Sequence, residues 1–204
     1  MKASEYPNTK LVKVLAYGNP GTGKTCFAAG FPTPILYFDF DNKVSSAIRF
    51  FSKDRTRLES IEVKALSMSL VSSPLNAFIQ EIEALKKMQA TGDFPYKTLV
   101  IDSITTFSAA CLQHIIATNP GIKGRQTAQG MMPDKAHYGV LLREFERLIP
   151  GLLTLDMNIV MLGHLTEYKN DDTGVMVREV MCDGSFSSRL PIYFDEVYYT
   201  YKGS

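Results

Sequence analysis

Short, almost wholly apolar runs alternate with amphipathic segments along the first 160 residues. Apolar runs of this kind are typical of parallel strands that are covered on both faces, and they predict strands at residues 11–17, 35–40, 98–101 and 158–162. Helical spacing predicts helices at residues 26–31, 42–51, 74–91, 105–117 and 138–149. This strand–helix alternation predicts an α/β fold, with a mostly parallel central sheet flanked by helices.

The pattern changes after residue 162. Residues 165–168 and 175–180 flank the sequence KNDDTG, which predicts a β-hairpin, and a last strand is predicted at 196–201. Residues 119–135 have little periodicity and are predicted to be a loop. We therefore expect one domain over residues 1–204, with a short N-terminal segment (1–10) and a β-hairpin-rich C-terminal segment.

Composition narrows the class of protein. The 204 residues carry 22 Lys and Arg against 21 Asp and Glu, and 45% are hydrophobic, which excludes a disordered chain. The net charge of +1 excludes a uniformly basic surface, so any nucleic-acid site must be a local patch. No membrane-spanning run or secretory signal is present, and the three separated cysteines suit a reducing compartment, so a cytoplasmic location is expected.

The most specific feature is a glycine-rich turn between the first strand and the first helix. Its sequence GNPGTGKT fits the phosphate-loop (P-loop, Walker A) pattern GxxxxGK followed by Ser or Thr. Backbone N–H groups cradle phosphate oxygens, Lys24 reaches the β- and γ-phosphates, and the Thr25 hydroxyl coordinates Mg²⁺. The predicted nucleotide-binding residues are Gly18, Asn19, Pro20, Gly21, Thr22, Gly23, Lys24, Thr25 and Cys26.

Carboxylates at the ends of two later strands are candidates for the chemistry of the site. Asp102 closes the apolar run TLVID, a Walker B pattern in which the carboxylate holds Mg²⁺ through water. Asp39 and Asp41 end the second strand, and because side chains alternate along a strand, both are predicted to point to the same face. Asp41 is a candidate general base, with capping of the next helix as the alternative. Asp39 is a further candidate metal ligand, with a buried polar contact to the P-loop as the alternative.

One histidine also stands at a strand end. Ligands of parallel α/β sheets gather at the carboxyl ends of the strands, and His164 follows the strand at 158–162. We therefore predict that His164 senses the γ-phosphate, although a lone histidine is often structural. His114 and His137 have no such placement and are predicted to be structural or surface residues.

Four blocks, GNPGTGKT, LYFDFDN, TLVIDS and IVMLGH, occur in the order found in the RecA-like ATPase core. The chain resembles phage-encoded P-loop proteins related to RecA and RadA, some of which are single-strand annealing proteins or recombinases. The resemblance implies that Asp102 is the Walker B residue, His164 the sensor and Asp41 the residue that activates water. RecA-like proteins usually have Glu at this last position. Since Asp is one methylene shorter, slow hydrolysis is an expectation.

The resemblance also implies DNA contacts from two segments, 119–135 and 166–188. The first contains Lys123, Arg125 and Lys135, which would neutralise phosphates of single-stranded DNA in a salt-dependent manner. A solvated loop without a ligand is the alternative for the first segment, and a plain surface hairpin for the second.

RecA-like cores assemble as rings or filaments with ATP between subunits, so a homo-oligomer is expected. A basic residue of the neighbouring subunit then completes the site, and the candidates are Arg178, Arg189 and Lys202. A single-strand-binding protein is a further candidate partner, and the host cytoplasm is the expected location for a phage protein.

Together these features predict an ATP- and Mg²⁺-binding ATPase of DNA recombination or repair that binds single-stranded DNA and promotes annealing or strand pairing. An AAA+ ATPase that remodels a protein partner is one alternative, although Gly163–His164 replaces the usual sensor Asn and no helical lid is apparent. A nucleotide-gated DNA-binding module with little hydrolysis is another. A small-molecule kinase would need an arginine-rich lid, which the sequence does not indicate.

Overall fold

The computed structural model describes residues 11–122, 124–127 and 130–203. The helices and strands are, in chain order, β1 (Lys13–Gly18), α1 (Lys24–Ala29), β2 (Ile35–Asp39), α2 (Ser45–Phe50), α3 (Arg55–Glu59), β3 (Ile61–Ala65), α4 (Pro74–Thr91), β4 (Thr98–Asp102), α5 (Ile104–Thr118), β5 (Arg125–Thr127), β6 (Gly130–Met132), α6 (Lys135–Leu153), β7 (Asn158–Lys169), β8 (Met176–Val180) and β9 (Glu196–Thr200). Two 3₁₀ turns, at Gly184–Phe186 and Leu190–Tyr193, lie between β8 and β9.

The central sheet has the strand order β3-β2-β4-β7-β1-β9, and all neighbouring pairs in this order are parallel. Among the described strands of this sheet, β8 alone is antiparallel, and it pairs with the distal part of β7. The strand that precedes the P-loop is therefore separated from the Walker B strand by β7. This arrangement confirms the predicted α/β fold with a parallel central sheet.

Helices cover both faces of the sheet. Phe38, Ile101 and Met161 face the larger core, which also holds the apolar sides of α4, α5 and α6. Tyr37 and Val100 face a smaller core that includes Ala28 of α1. Because both faces are buried, the strands consist of nearly continuous apolar runs, as the sequence indicates.

Two β-hairpins project from the same edge of the sheet as the P-loop. Gly18 pairs with His164, so the remainder of β7 extends past this edge and turns into β8. The β5–β6 hairpin follows α5. The hydroxyl of Ser73, the N-cap of α4, lies 3.4 Å from His114 near the end of α5, whereas Gln89 near the end of α4 accepts a hydrogen bond from the backbone of Asp156, just before β7. The end of α5 and its hairpin therefore lie on the P-loop side.

Three local predictions differ from the structure. The predicted loop at 119–135 contains the short antiparallel β5–β6 hairpin. Strand β7 continues without a break from Asn158 to Lys169, because β8 pairs with its distal half. Helix α6 continues past Pro150 to Leu153, since Ile149 and Leu152 are almost fully buried and their packing outweighs the lost backbone hydrogen bond. Within the described residues, no helix is long and apolar enough to cross a membrane.

Candidate nucleotide-binding site

The P-loop joins the end of β1 to the start of α1. Gly21 and Gly23 have φ values of 75° and 87°, a left-handed conformation that glycine adopts at little cost. The buried Lys24 ammonium group donates hydrogen bonds to the carbonyl oxygens of Gly18 (2.8 Å) and Asn19 (2.9 Å). Burial is the main cause of a lowered Lys24 pKa, and nearby Asp102 and Asp41 oppose this shift. These two hydrogen bonds fix the Lys24 side chain against the P-loop, where it is predicted to bind phosphate.

Thr25 and Tyr37 hold the Walker B carboxylate. The Thr25 hydroxyl donates to Asp102 Oδ2 at 2.9 Å, and the Tyr37 hydroxyl donates to the same oxygen at 2.6 Å. Burial raises the pKa of Asp102, and the negative charges of Asp41 and Asp39 add to this shift, although the two hydrogen bonds oppose it. The carboxylate therefore sits in a site that disfavours its charge until a cation is bound.

The geometry of this pair fits a magnesium ion. Thr25 uses its proton to reach Asp102, so the oxygen lone pairs of the hydroxyl remain available to a cation. The described residues contain no cluster of three or more His, Cys, Asp or Glu side chains that could hold a metal. Mg²⁺ needs no such cluster, because it is usually bound by one or two protein oxygens together with waters and substrate phosphates. Thr25 and Asp102 would hold the ion.

Asp41 and His164 meet on the opposite side of this site. His164 Nε2 lies 3.0 Å from Asp41 Oδ2, the Ser103 hydroxyl donates to Asp41 Oδ1 at 3.0 Å, and the Lys43 ammonium lies 3.5 Å from the carboxylate. Burial alone would raise the pKa of Asp41. Hydrogen bonds from His164, Thr106 and Ser103, together with the Lys43 charge, outweigh it and lower the pKa below its usual range. Asp41 is therefore ionised at neutral pH, and the same contacts that lower its pKa weaken it as a proton acceptor.

Asp39 has a different role from Asp41. Its two carboxylate oxygens accept the backbone N–H groups of Lys43 and Val44, each at 3.0 Å. Asp39 therefore caps the turn that leads into α2, the role considered for Asp41. The predicted metal role of Asp39 is not favoured, because its oxygens are occupied by the backbone. Strand β2 ends at Asp39, so strand alternation does not determine the direction of Asp41.

His164 is fixed to the segment after β8 by its backbone. Its N–H donates to the Thr105 hydroxyl (2.9 Å), which in turn donates to the carbonyl of Met181 (2.7 Å). The N–H of Met181 donates to the His164 carbonyl at 2.7 Å. One threonine hydroxyl thus joins the backbone of His164 to the segment that follows the β7–β8 hairpin. The sequence pattern gave no indication of this role for Thr105.

A cavity of about 440 Å³ connects these groups. Its lining contains the predicted residues Pro20, Gly21, Gly23, Lys24, Thr25, Cys26, Asp41, Asp102 and His164. It also contains residues that the sequence reasoning missed, namely Asn42, Lys43, Ser45, Ser46 and Arg49. These follow β2 at the same sheet edge as the P-loop, a position that could have identified them. The volume is within the range of small-molecule and cofactor sites.

The residues predicted to contact DNA are only partly described. Lys123 and the side chain of Arg125 lie outside the described residues, and Lys135 is exposed at the first position of α6. Two of the candidate basic residues for a neighbouring site are engaged within the chain. Arg178 pairs with Glu167 at 2.6 Å, and Arg189 pairs with Glu146 at 2.5 Å.

Lys24, Thr25 and Asp102 line a cavity of nucleotide size, and together with the GNPGTGKT loop they define the protein as a P-loop nucleotide-binding protein. A protein-family profile described as an AAA domain matches residues 10–203, so the chain belongs to this AAA domain family. This match supports a P-loop ATPase, the class that AAA and RecA-like proteins share, and it does not support the predicted preference for the RecA-like branch.

The other comparisons add little to this assignment. No curated protein matches the chain. Among solved structures, a KaiC-like protein from the hyperthermophilic archaeon Pyrococcus horikoshii OT3 is similar, with a TM-score of 0.40 and 16% sequence identity. The match covers 83% of this chain and 76% of that protein.

Proposed function

We propose that this ATPase binds single-stranded DNA and uses ATP and Mg²⁺ to promote annealing or strand pairing in recombination or repair. The observation that carries the proposal is the continuity of β7. The strand runs from the core through His164, at the nucleotide cavity, to Lys169 in a projecting hairpin. A movement of His164 on binding of the γ-phosphate would therefore be transmitted along one strand to the exposed residues of the hairpin.

Both projecting hairpins carry side chains of the kinds that contact single-stranded nucleic acids, although carboxylates outnumber cations on the β7–β8 hairpin and oppose phosphate binding there. The β7–β8 hairpin carries the exposed Tyr168 next to Lys169, and Tyr168 offers a ring for base stacking. The β5–β6 hairpin carries the exposed Met131 and Met132, and Lys135 begins the helix that follows it. Aromatic and apolar side chains beside cations are the usual composition of sequence-tolerant sites for single strands.

A second candidate function is the remodelling of a protein partner, which the AAA domain family assignment favours. Val175 and Met176, on the β7–β8 hairpin, are 59% and 56% exposed. Exposed apolar side chains on a projecting element also suit a protein surface.

A nucleotide-gated DNA-binding module with little hydrolysis is the third candidate, because Asp41 replaces the longer glutamate.

The test is ATP hydrolysis measured with and without single-stranded DNA, with Lys24→Ala as the blank. DNA-stimulated turnover that is absent from the variant would support the DNA-dependent ATPase. Turnover that DNA does not change would contradict it and favour a protein partner. Negligible turnover together with ATP-dependent DNA binding, measured by fluorescence anisotropy, would favour the gated module.

The proposal also includes assembly of several copies, with a single-strand-binding protein as a further partner. Light scattering with and without ATP and DNA measures the assembly. A monomer under all of these conditions would contradict it.

A further inference from the structure

The end of β9 is built against the P-loop of its own chain. The hydroxyl groups of Thr22 and Thr200 are hydrogen-bonded at 2.8 Å, and the Thr200 hydroxyl also lies within hydrogen-bond distance (3.2 Å) of the carbonyl oxygen of Tyr17. A β-carbon on Gly18 would lie 2.1 Å from the carbonyl oxygen of Thr200. Gly18 is therefore required by the close approach of β9, in addition to its place in the phosphate-loop pattern.

Lys202 extends from this strand end to the P-loop. A β-carbon placed on Gly21 would lie 3.5 Å from the Lys202 ammonium nitrogen and 3.6 Å from its last carbon. The Lys24 ammonium group contacts the same loop through the Gly18 and Asn19 carbonyls. Two lysines from distant parts of the sequence thus flank one phosphate loop.

The charge of Lys202 is uncompensated among the described residues. Arg178 and Arg189 each pair with a glutamate, whereas no carboxylate of the described chain lies within ion-pair distance of Lys202. The side chain is exposed, but the contacts of Thr200 fix the backbone two residues before it. A cation kept beside a phosphate loop is suited to a polyphosphate, because the backbone N–H groups of such a loop favour anions too.

We propose that Lys202 binds the phosphate chain of the nucleotide in cis, as a second cation beside Lys24. The proposal rests on the nucleotide-binding function of the P-loop. It differs from the expectation that Lys202 serves the site of a neighbouring subunit, because the ammonium group already lies at the loop of its own chain. The residue is a binding residue, and its charge favours nucleotides that carry a phosphate chain over adenosine.

The first experiment compares nucleotide affinities by isothermal titration. Lys202→Met removes the charge and keeps the length of the side chain, and Lys87→Met removes an exposed lysine from the far end of α4 as the matched control. We expect Lys202→Met to weaken ATP and ADP binding about tenfold, the effect of one charge-assisted contact, and to leave adenosine binding unchanged. Lys202→Arg should restore most of the affinity. The Lys87→Met protein should bind as the wild type does.

Equal ATP affinity of Lys202→Met and wild type would overturn the proposal. An equal loss for adenosine and ATP would also overturn it, since that result indicates disturbed structure. If the wild type binds no nucleotide, the function of the P-loop itself fails, and this outcome is distinct from a failure of Lys202 alone.

A mixing experiment separates the cis role from the trans role. Lys24→Ala has a defective loop and an intact Lys202, and Lys202→Met has the reverse. If Lys202 acts across subunits, a mixture of the two proteins regains ATPase activity, because the intact loop of one receives the lysine of the other. The cis role predicts activity no greater than the sum of the separate proteins, and recovery in the mixture would overturn it.

Discussion

His164 Nε2 lies 3.0 Å from Asp41 Oδ2, although 123 residues separate the two in sequence. The contact joins the middle of β7 to the turn after β2 at the nucleotide cavity. Asp41 therefore has a partner on the strand that leads to the projecting β7–β8 hairpin. The two residues predicted to activate water and to sense the γ-phosphate are therefore in direct contact, so a change in one is expected to affect the other.

Asp41→Asn should lower ATP turnover by a factor of about 100 or more, because the amide cannot accept a proton from the attacking water. Nucleotide affinity should change little, since Lys24 and Thr25 remain. Steady-state kinetics and titration measure the two quantities, and Asp93→Asn, an exposed site after α4, is the control. Unchanged turnover in Asp41→Asn would contradict the assignment of Asp41 as the general base.

Thr105→Val should separate the nucleotide site from the β7–β8 hairpin. Valine keeps the shape of the side chain but loses the hydroxyl that accepts from His164 and donates to Met181. We expect basal turnover to be retained and DNA stimulation to fall, with rescue by Thr105→Ser. Turnover as a function of DNA concentration is the measurement. Full stimulation in the valine variant would exclude a coupling role for Thr105.

Asp102→Asn should increase stability while it abolishes Mg²⁺-dependent turnover. The pKa of Asp102 is raised in the folded state, mainly by burial, so the folded protein holds this proton more tightly than the unfolded chain does. Its contribution to stability therefore falls as pH rises from the unfolded pKa through the folded one. Asparagine carries no charge and still accepts from Thr25 and Tyr37.

Urea unfolding at neutral pH should give a free energy of unfolding about 1 kcal/mol higher for Asp102→Asn than for the wild type, and the gap should close below the unfolded pKa of Asp. A variant that is less stable at neutral pH would show that the hydrogen-bonded carboxylate stabilises the fold.

Gly18→Ala should destabilise the protein by about 1–3 kcal/mol, because a methyl group meets the backbone of Thr200 and forces β1 and β9 apart. Gly139→Ala is the matched control. Gly139 lies within α6 with no atom within 4 Å of a β-carbon, so alanine there should stabilise the helix by up to about 1 kcal/mol. Thermal unfolding compares the two, and equal effects would show that the contact with Thr200 has no cost.

Joint replacement of Lys123, Arg125 and Lys135 by Ala should weaken single-stranded DNA binding and reduce its salt dependence. Fewer neutralised phosphates release fewer counterions, so the slope of log affinity against log salt should become shallower by up to about 2. Replacement of Lys86, Lys87 and Lys97, away from the hairpins, is the control. Anisotropy at several salt concentrations gives the slope, and an unchanged slope would remove the β5–β6 hairpin from the DNA site.

Local sequence alone determined the P-loop, the buried strands and Asp102. These features depend on residue type and short spacing, since a glycine-rich turn before Lys and Thr, or an apolar run that ends in Asp, is complete within a few residues. The same local patterns did not reveal the β5–β6 hairpin or the course of α6 through Pro150. Those depend on pairing and burial against distant parts of the chain.

The division of roles between Asp39 and Asp41 was decided only by tertiary structure. Both stand at the end of the same predicted strand, and sequence spacing treats them alike. The backbone N–H groups of Lys43 and Val44 engage Asp39. Asp41 is reached instead by Ser103, which follows the neighbouring strand β4, and by His164 of β7, one strand further along the sheet. The position of Lys202 over Gly21 has the same origin, because parallel pairing of β9 with β1 places residues about 180 positions apart at one loop.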